Sequence, residues 1–383
     1  MRLIYFLPQL YNKGGLERTL TDKAGYMASK GHSVMFVTIE HHGPLAYEMP
    51  EGVNHEDLSC HVYSLYSQPF YRRISGFIHL KRLFRRRMKS VLDSFRPDAI
   101  VITIPYTENF VCDLMRVAKG IPVVVETHLA YGPHYRGEGK LENLMQRFYN
   151  PFHALQKAQL FITLTQGDAK SWQRLGMRNI KVIPNPLPAS FNDVDRHHIT
   201  KEQGRIICVG RLDVQKRYDR LVAAFALVAD KHPAWHIDIF GEGKCRDDIQ
   251  QQINAERLQD RITLRGTTSN IIDEYMRSQF FVLSSDYEGF GLVIIEAMAC
   301  GLPVVVTDCP FGPSEIIEDR KTGLLAKMDV HDLADKIEWM ITHANERRQM
   351  GLSAYATSVC YRLDTIMPRW VEAYKETTTV KVY

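Results

Sequence analysis

The sequence contains no C-x-x-C pair, although it holds seven cysteines, at 60, 112, 208, 245, 300, 309 and 360. An irregular, odd-numbered set argues against a disulfide framework and against a zinc site, and fits a reducing compartment. No stretch approaches the ~20 apolar residues of a membrane span. Low-complexity segments and internal sequence repeats are absent. The opening apolar run is too short for a signal peptide and ends at Pro8, so the expectation is a cytoplasmic chain.

What is present is ordinary globular material: 383 residues, 45% hydrophobic and 24% charged. That length points to two domains, each with ample material for a core. The net charge of +4 is unevenly spread. Residues 1–190 carry 24 Lys+Arg against 15 Asp+Glu, and residues 191–383 carry 24 against 29. A basic first half suggests contact with something anionic.

Short apolar runs alternate with helical patterns along the chain. Leu3–Leu7, Ser33–Ile39, Ala99–Ile104, Pro122–Glu126 and Leu160–Leu164 read as strands covered on both faces. A proline-rich stretch, Ile183-Pro-Asn-Pro-Leu187, then opens a polar linker over 189–204. Arg205–Val209, His236–Phe240, Arg261–Leu264, Phe280–Leu283 and Pro303–Thr307 form a second series, and Asp364–Glu376 reads as a terminal helix. The expectation is an α/β chain of two Rossmann-like, doubly wound domains, over 1–188 and 189–361, followed by the tail 362–383.

In such sheets, ligands sit beyond the C-terminal strand ends. Three loops there carry candidate chemistry. Gly14 and Gly15 follow the first strand and open its helix, a place where backbone N–H groups can approach a phosphate; a plain tight turn reads equally well. The third glycine of a dinucleotide fingerprint is missing, so NAD is not expected. Arg211 and Lys216 leave the strand Arg205–Val209 just after Gly210, and can converge on one diphosphate. A solvated basic loop is the competing reading. The densest signal runs Ser285-Asp-Tyr-Glu-Gly-Phe-Gly-Leu-Val-Ile-Ile-Glu296 and on to Gly301-Leu-Pro-Val-Val305. Gly289 and Gly291 keep the backbone bare beside Glu288, so that Glu288 can reach a sugar hydroxyl. Glu296, on the following helix, can accept two ribose hydroxyls. Acids favouring a helix N-terminus are the alternative.

These residues resemble the family-4 retaining glycosyltransferases, of the GT-B fold. The likeness spans nearly the whole chain. It rests on Gly14-Gly15, Thr127-His128, Ile183-Pro-Asn-Pro186, Gly210-Arg211 with Lys216, Gly241-Glu-Gly243, the Glu288/Glu296 block, Gly312-Pro-Ser-Glu-Ile-Ile317 and Gly323-Leu-Leu325. The resemblance implies two domains facing across a cleft, acceptor on the first and nucleotide sugar on the second, with the terminal helix crossing back. It assigns donor binding to Gly14, Gly15, Gly210, Arg211, Lys216, Gly241, Gly243, Glu288, Gly289, Phe290, Gly291, Leu292 and Glu296. His128 would lie near the anomeric centre, although a structural histidine is the other reading. The implied reaction is retaining transfer of a hexosyl or N-acetylhexosaminyl unit from a UDP-sugar to a glycan or lipid-linked acceptor in cell-surface polysaccharide biosynthesis, such as lipopolysaccharide or capsule. Departure of the diphosphate is stabilised by Arg211 and Lys216, with no cofactor and no metal. Asp193-Val-Asp195 matches a metal-binding D-x-D pattern, but it falls in the linker and not at a strand end.

Residues 71–89 hold eight basic residues, Arg72, Arg73, Lys81, Arg82, Arg85, Arg86, Arg87 and Lys89, and no acid. Ile74, Phe77, Ile78, Phe84, Met88 and Val91 recur at helical spacing, as a core face. The basic face suits peripheral contact with anionic lipid or plain solvation; no aromatic-interleaved motif points to nucleic acid. The rival functions are sugar-nucleotide epimerisation, glycan phosphorolysis, or non-catalytic sugar binding by a two-domain protein. No lysine is marked as a pyridoxal anchor and no secretion signal is read, which disfavours the last two.

Overall fold

A computed structural model describes residues 1–12, 14–61, 70–104, 107–129, 151–192, 194 and 199–379, with the backbone alone at 70–75, 108, 109 and 151. The chain divides into two units, Met1–Pro184 with Ile366–Tyr383, and Asn185–Thr365.

The first unit runs β1 (Arg2–Leu7), α1 (Gly15–Ser29), β2 (Ser33–Thr38), β3 (Val53–Asp57), α2 (Phe70–Phe95), β4 (Ala99–Ile104), α3 (Glu108–Val117), β5 (Val123–Thr127), α4 (Pro151–Leu155), β6 (Leu160–Thr163), α5 (Gln166–Arg174) and β7 (Ile180–Val182). Its parallel sheet has the order β3-β2-β1-β4-β5-β6-β7. β1 beyond Arg2, β4 and β5 are buried on both faces and apolar except for Glu126 and the threonines, as central parallel strands require. β3 and β7 lie at the edges and were not anticipated. They are short or polar, Val-Asn-His-Glu-Asp and Ile-Lys-Val, because an edge strand is half solvated and needs no apolar run.

One face of this sheet packs on α2, through buried Leu80, Phe84, Met88, Leu92 and Phe95. Ile78, expected in the core stripe, is instead 50% exposed. The core stripe advances through Leu80, Phe84 and Met88, so position 78 falls off it.

The second unit contains β8 (Arg205–Val209), α6 (Tyr218–Ala229), β9 (His236–Phe240), α7 (Arg246–Ala255), β10 (Ile262–Gly266), α8 (Ile271–Arg277), β11 (Phe280–Leu283), α9 (Leu292–Ala299), β12 (Val304–Thr307), α10 (Pro313–Ile316), β13 (Gly323–Ala326), α11 (Val330–Thr342) and α12 (Ala344–Ser358). Its parallel sheet is ordered β10-β9-β8-β11-β12-β13. The order reverses between β8 and β11, where a doubly wound sheet opens its ligand crevice at the C-terminal strand ends. The loops Gly210–Arg217 and Ser284–Gly291 both leave from that point. The last helix, α13 (Leu363–Thr379), begins at the end of the second unit and continues into the first.

Candidate functional site

In the second unit the loops after β8 and β9 lie against each other. Gly210 N donates to Phe240 O and Leu212 N to Glu242 O, both at 3.0 Å. A Cβ on Gly241 would stand 2.0 Å from Gly210 O, and one on Gly243 would stand 2.3 Å from Leu212 O. The bare backbone of Gly241 and Gly243 is thus required by loop packing, a reason the sequence alone did not show.

After Gly210 the chain makes a 3₁₀ turn, Val214–Lys216, which turns Lys216 inward. Lys216 Nζ donates to Glu288 Oε1 at 2.7 Å, and Ser285 Oγ donates to the same oxygen at 2.6 Å. Both partners of the ion pair are buried, with side chains 11% and 7% exposed. A desolvated pair gains Coulomb energy that a surface pair does not. Arg211 is not drawn into it: its side chain is 67% exposed and pairs with Asp213 at 3.1 Å.

Gly291 caps α9, Leu292 is its first residue, and no acid stands in the first turn. Neither Glu288 nor Glu296 therefore serves as a cap there. Glu296 lies in the second turn, buried, and accepts from Tyr275 OH at 3.3 Å. Phe290 is buried edge-on against Tyr361. One device went unread in the sequence. Asp286 accepts from Arg217 at 2.9 Å and from Arg220 at 2.6 Å, tying the two strand-end loops together. No local pattern signals it, because the partners lie 69 and 66 residues apart in sequence.

In the first unit, Gly14 caps α1 and Gly15 is its first residue. Glu17 stands in the first turn, and its Oε2 lies where a Cβ on Gly14 would be, 2.5 Å away. The partial positive end of α1 already faces a carboxylate.

On β5 side chains alternate between faces, so Glu126 and His128 share one. Lys23 on α1 reaches the same place. Lys23 Nζ donates to Glu126 Oε2 at 2.7 Å, and His128 Nε2 lies 3.1 Å from that oxygen. Tyr374 OH, from α13, donates to Glu126 Oε1. Trp370 closes the group, with Lys23 Nζ 3.2 Å from its ring centre. Lys23 and Glu126 are fully buried, and the His128 side chain is 4% exposed. Burial would raise the Glu126 carboxyl, but Lys23 and then His128 outweigh it and hold it at about 2. Burial pulls Lys23 down to about 8, against the pull of Glu126, so both partners are charged at neutral pH. Burial also lowers His128 below its ordinary value, with Glu126 opposing.

Asp193 and Asp195 lie outside the described residues. Among the described residues no group of three or more His, Cys, Asp or Glu is placed to hold a metal ion. No described helix is long and apolar enough to cross a membrane.

Two family models account for most of the chain. Glycosyltransferase Family 4 matches residues 13–191, and Glycosyl transferases group 1 matches residues 190–357. The chain belongs to the family-4, group 1 glycosyltransferases. Among its glycosyltransferase relatives is an uncharacterized glycosyltransferase of Haemophilus influenzae, 24% identical over 96% of this chain and 98% of that protein. The poly(ribitol-phosphate) alpha-N-acetylglucosaminyltransferase of Staphylococcus aureus is 32% identical over 53% of this chain. That protein is longer, and the chain spans 42% of it. The pneumococcal O-GlcNAc transferase GtfA, solved in complex with UDP and GlcNAc, superposes with a TM-score of 0.78 over 98% of this chain and 99% of that one, at 16% identity. That likeness establishes the glycosyltransferase's fold as GT-B, with two Rossmann-like domains.

Proposed function

We propose that this glycosyltransferase moves a hexosyl or N-acetylhexosaminyl unit from a UDP-sugar to a glycan or lipid-linked acceptor, with retention and without a divalent metal. The observation that carries this reading is the buried Lys216–Glu288 pair at the switch point of the second sheet. A cation and an acceptor carboxylate, both desolvated, at a strand-end crevice of the kind that takes ligands in doubly wound sheets support a sugar-diphosphate site there. The staphylococcal relative's α-N-acetylglucosaminyl specificity and the pneumococcal structure's UDP and GlcNAc support the donor class.

In this reading Lys216 and Arg211 meet the diphosphate, Glu296 the ribose, and Glu288 with the backbone of Gly289–Gly291 the sugar. The acceptor oxygen bonds to the anomeric carbon on the face the diphosphate leaves, and the acceptor proton passes to the departing phosphate oxygen. Fixed cations stabilise the charge that develops there, which is the main source of rate. His128 is the residue of the first unit to which we assign a part in the transfer step.

The enzyme reaches a lipid-linked acceptor from the cytoplasmic side through α2. Lys81 and Arg85 are committed to Asp113, at 2.7 and 3.3 Å, and Arg87 to the carbonyls of Leu58 and Ser59. Arg82, Arg86 and Lys89 are exposed on the same stripe as exposed Ile78. That stripe is the one to face anionic lipid.

The test is turnover of a panel of UDP-, GDP- and ADP-sugars with lipid-linked acceptors in excess chelator, reading the product's anomeric configuration by proton NMR. An α-linked product from an α-donor is expected. A β-linked product, or activity lost in chelator and restored by magnesium or manganese, would overturn the corresponding part.

A further inference from the structure

A fully buried Lys–Glu pair is a poor device for stability alone. Desolvating both charges costs several kcal/mol, and apolar residues of similar volume often serve as well or better. Lys23 and Glu126 are nonetheless at zero side-chain exposure, in the face of the sheet covered by α1 and α13. Both oxygens of the Glu126 carboxylate are engaged. Tyr374 takes one oxygen, and Lys23 and His128 share the other. Tyr374 OH is itself steadied by Tyr5 OH at 3.0 Å. The titratable groups facing Glu126 are thus Lys23 from α1, Tyr5 from β1, Tyr374 from α13 and His128 just past the end of β5.

We propose that Glu126 is a positioning residue for His128, and that Lys23 and Tyr374 aim its carboxylate so that the histidine is held in one tautomer. The chemistry follows from the acceptor-only character of an ionised carboxylate. Nε2 must carry the proton it shares with Glu126 Oε2. A neutral imidazole has a single N–H, so Nδ1 is left with a lone pair, free to accept from a hydroxyl. Lys23 prevents Glu126 from picking up a proton, which would let the imidazole turn over to the other tautomer. The middle turns of α13 belong to this arrangement through Trp370 and Tyr374, so the terminal helix contributes to the working residue and does more than close the domain.

This inference rests on the proposed role of His128, and its test separates the two. The test variant is Lys23→Met combined with Glu126→Leu, which removes both charges at once and spares the fold an unpaired ion. Tyr374→Phe is the second variant, and it keeps the ring and loses only the hydroxyl. Nitrogen-15 NMR of labelled histidines reads the His128 tautomer, assigned by the signals lost in His128→Ala. The wild type should show a single Nε2–H form at pH 7, and the double variant a mixture. Its kcat should fall roughly 10- to 100-fold, the usual scale for losing a residue's orienting partner, with donor KM unchanged. Tyr374→Phe should move both readouts in the same direction by less. A wild-type mixture, an unchanged tautomer in both variants, or a folded double variant with wild-type kcat would overturn the proposal. Should His128→Ala turn over normally, the role given to His128 fails, and the tautomer alone then decides the positioning claim.

Discussion

Lys216 Nζ and Glu288 Oε1, separated by 72 residues in sequence, stand 2.7 Å apart in the interior of the second unit. The pair holds a cation at the strand end against a buried carboxylate. Arg211, by contrast, stays exposed.

That contrast makes the two cations separable. Lys216→Ala and Arg211→Ala should each lower kcat/KM by roughly 10²-fold, the scale of one lost transition-state donor. Only Lys216→Ala should also destabilise the fold, by about 3 kcal/mol, because it strands the buried Glu288 charge. Arg211→Ala should leave stability within about 0.5 kcal/mol. Urea unfolding of both variants beside their kinetics checks this, and an equal loss of stability in both would contradict it.

The Lys23–Glu126 group predicts an acid-side effect. The folded Glu126 carboxyl is held at about 2, below its ordinary 4.5. Its contribution to stability is therefore complete above about pH 4.5 and fades as the pH falls toward 2. The wild type should lose more stability between pH 5 and pH 3 than the Lys23→Met, Glu126→Leu variant, which has no such carboxylate. Parallel urea midpoints across that range would argue against an ionised, paired Glu126.

Loop packing predicts the outcome at Gly243. A methyl group there meets Leu212 O at 2.3 Å and Leu212 C at 2.6 Å, both backbone. Gly243→Ala should shift the Gly210–Asp213 segment and weaken donor binding, with a melting temperature lowered by several degrees, about 1–3 kcal/mol of overpacking. An unchanged melting temperature and donor Kd would show that the loops part freely.

On α2 only some basic residues are available. Changing Arg82, Arg86 and Lys89 together to Gln should abolish sedimentation with anionic vesicles, and rising salt should do the same to the wild type. Changing Arg85 and Arg87 should affect folding more than binding, since Asp113 and the Leu58 and Ser59 carbonyls hold them. Wild type that ignores anionic lipid would leave this face merely solvated.

Much of this was legible in the sequence, and for physical reasons. Central parallel strands such as Ala99–Ile104 are buried on both faces, so they appear as unbroken apolar runs. Edge strands such as Val53–Asp57 escape because polar residues serve there. The Glu288/Glu296 block stood out because carboxylates and glycines were packed into one short segment. The partners of those residues did not. Nothing in local pattern says that Lys216 meets Glu288, that Asp286 binds Arg217 and Arg220, or that Tyr374 reaches Glu126 across 248 residues of chain. Such contacts are set by how the sheet order folds back, which periodicity does not encode. The basic run at 71–89 shows the same gap. Sequence counted its charges, but tertiary contacts decide which remain outside.

Calorimetric titration with UDP-sugars tests the proposed donor site of the second unit most directly. We expect wild-type protein to bind UDP-GlcNAc or another UDP-hexose in the presence of chelator, and Lys216→Ala to bind it at least 10-fold more weakly. Failure of the wild type to bind any UDP-sugar, or equal binding by Lys216→Ala, would contradict it.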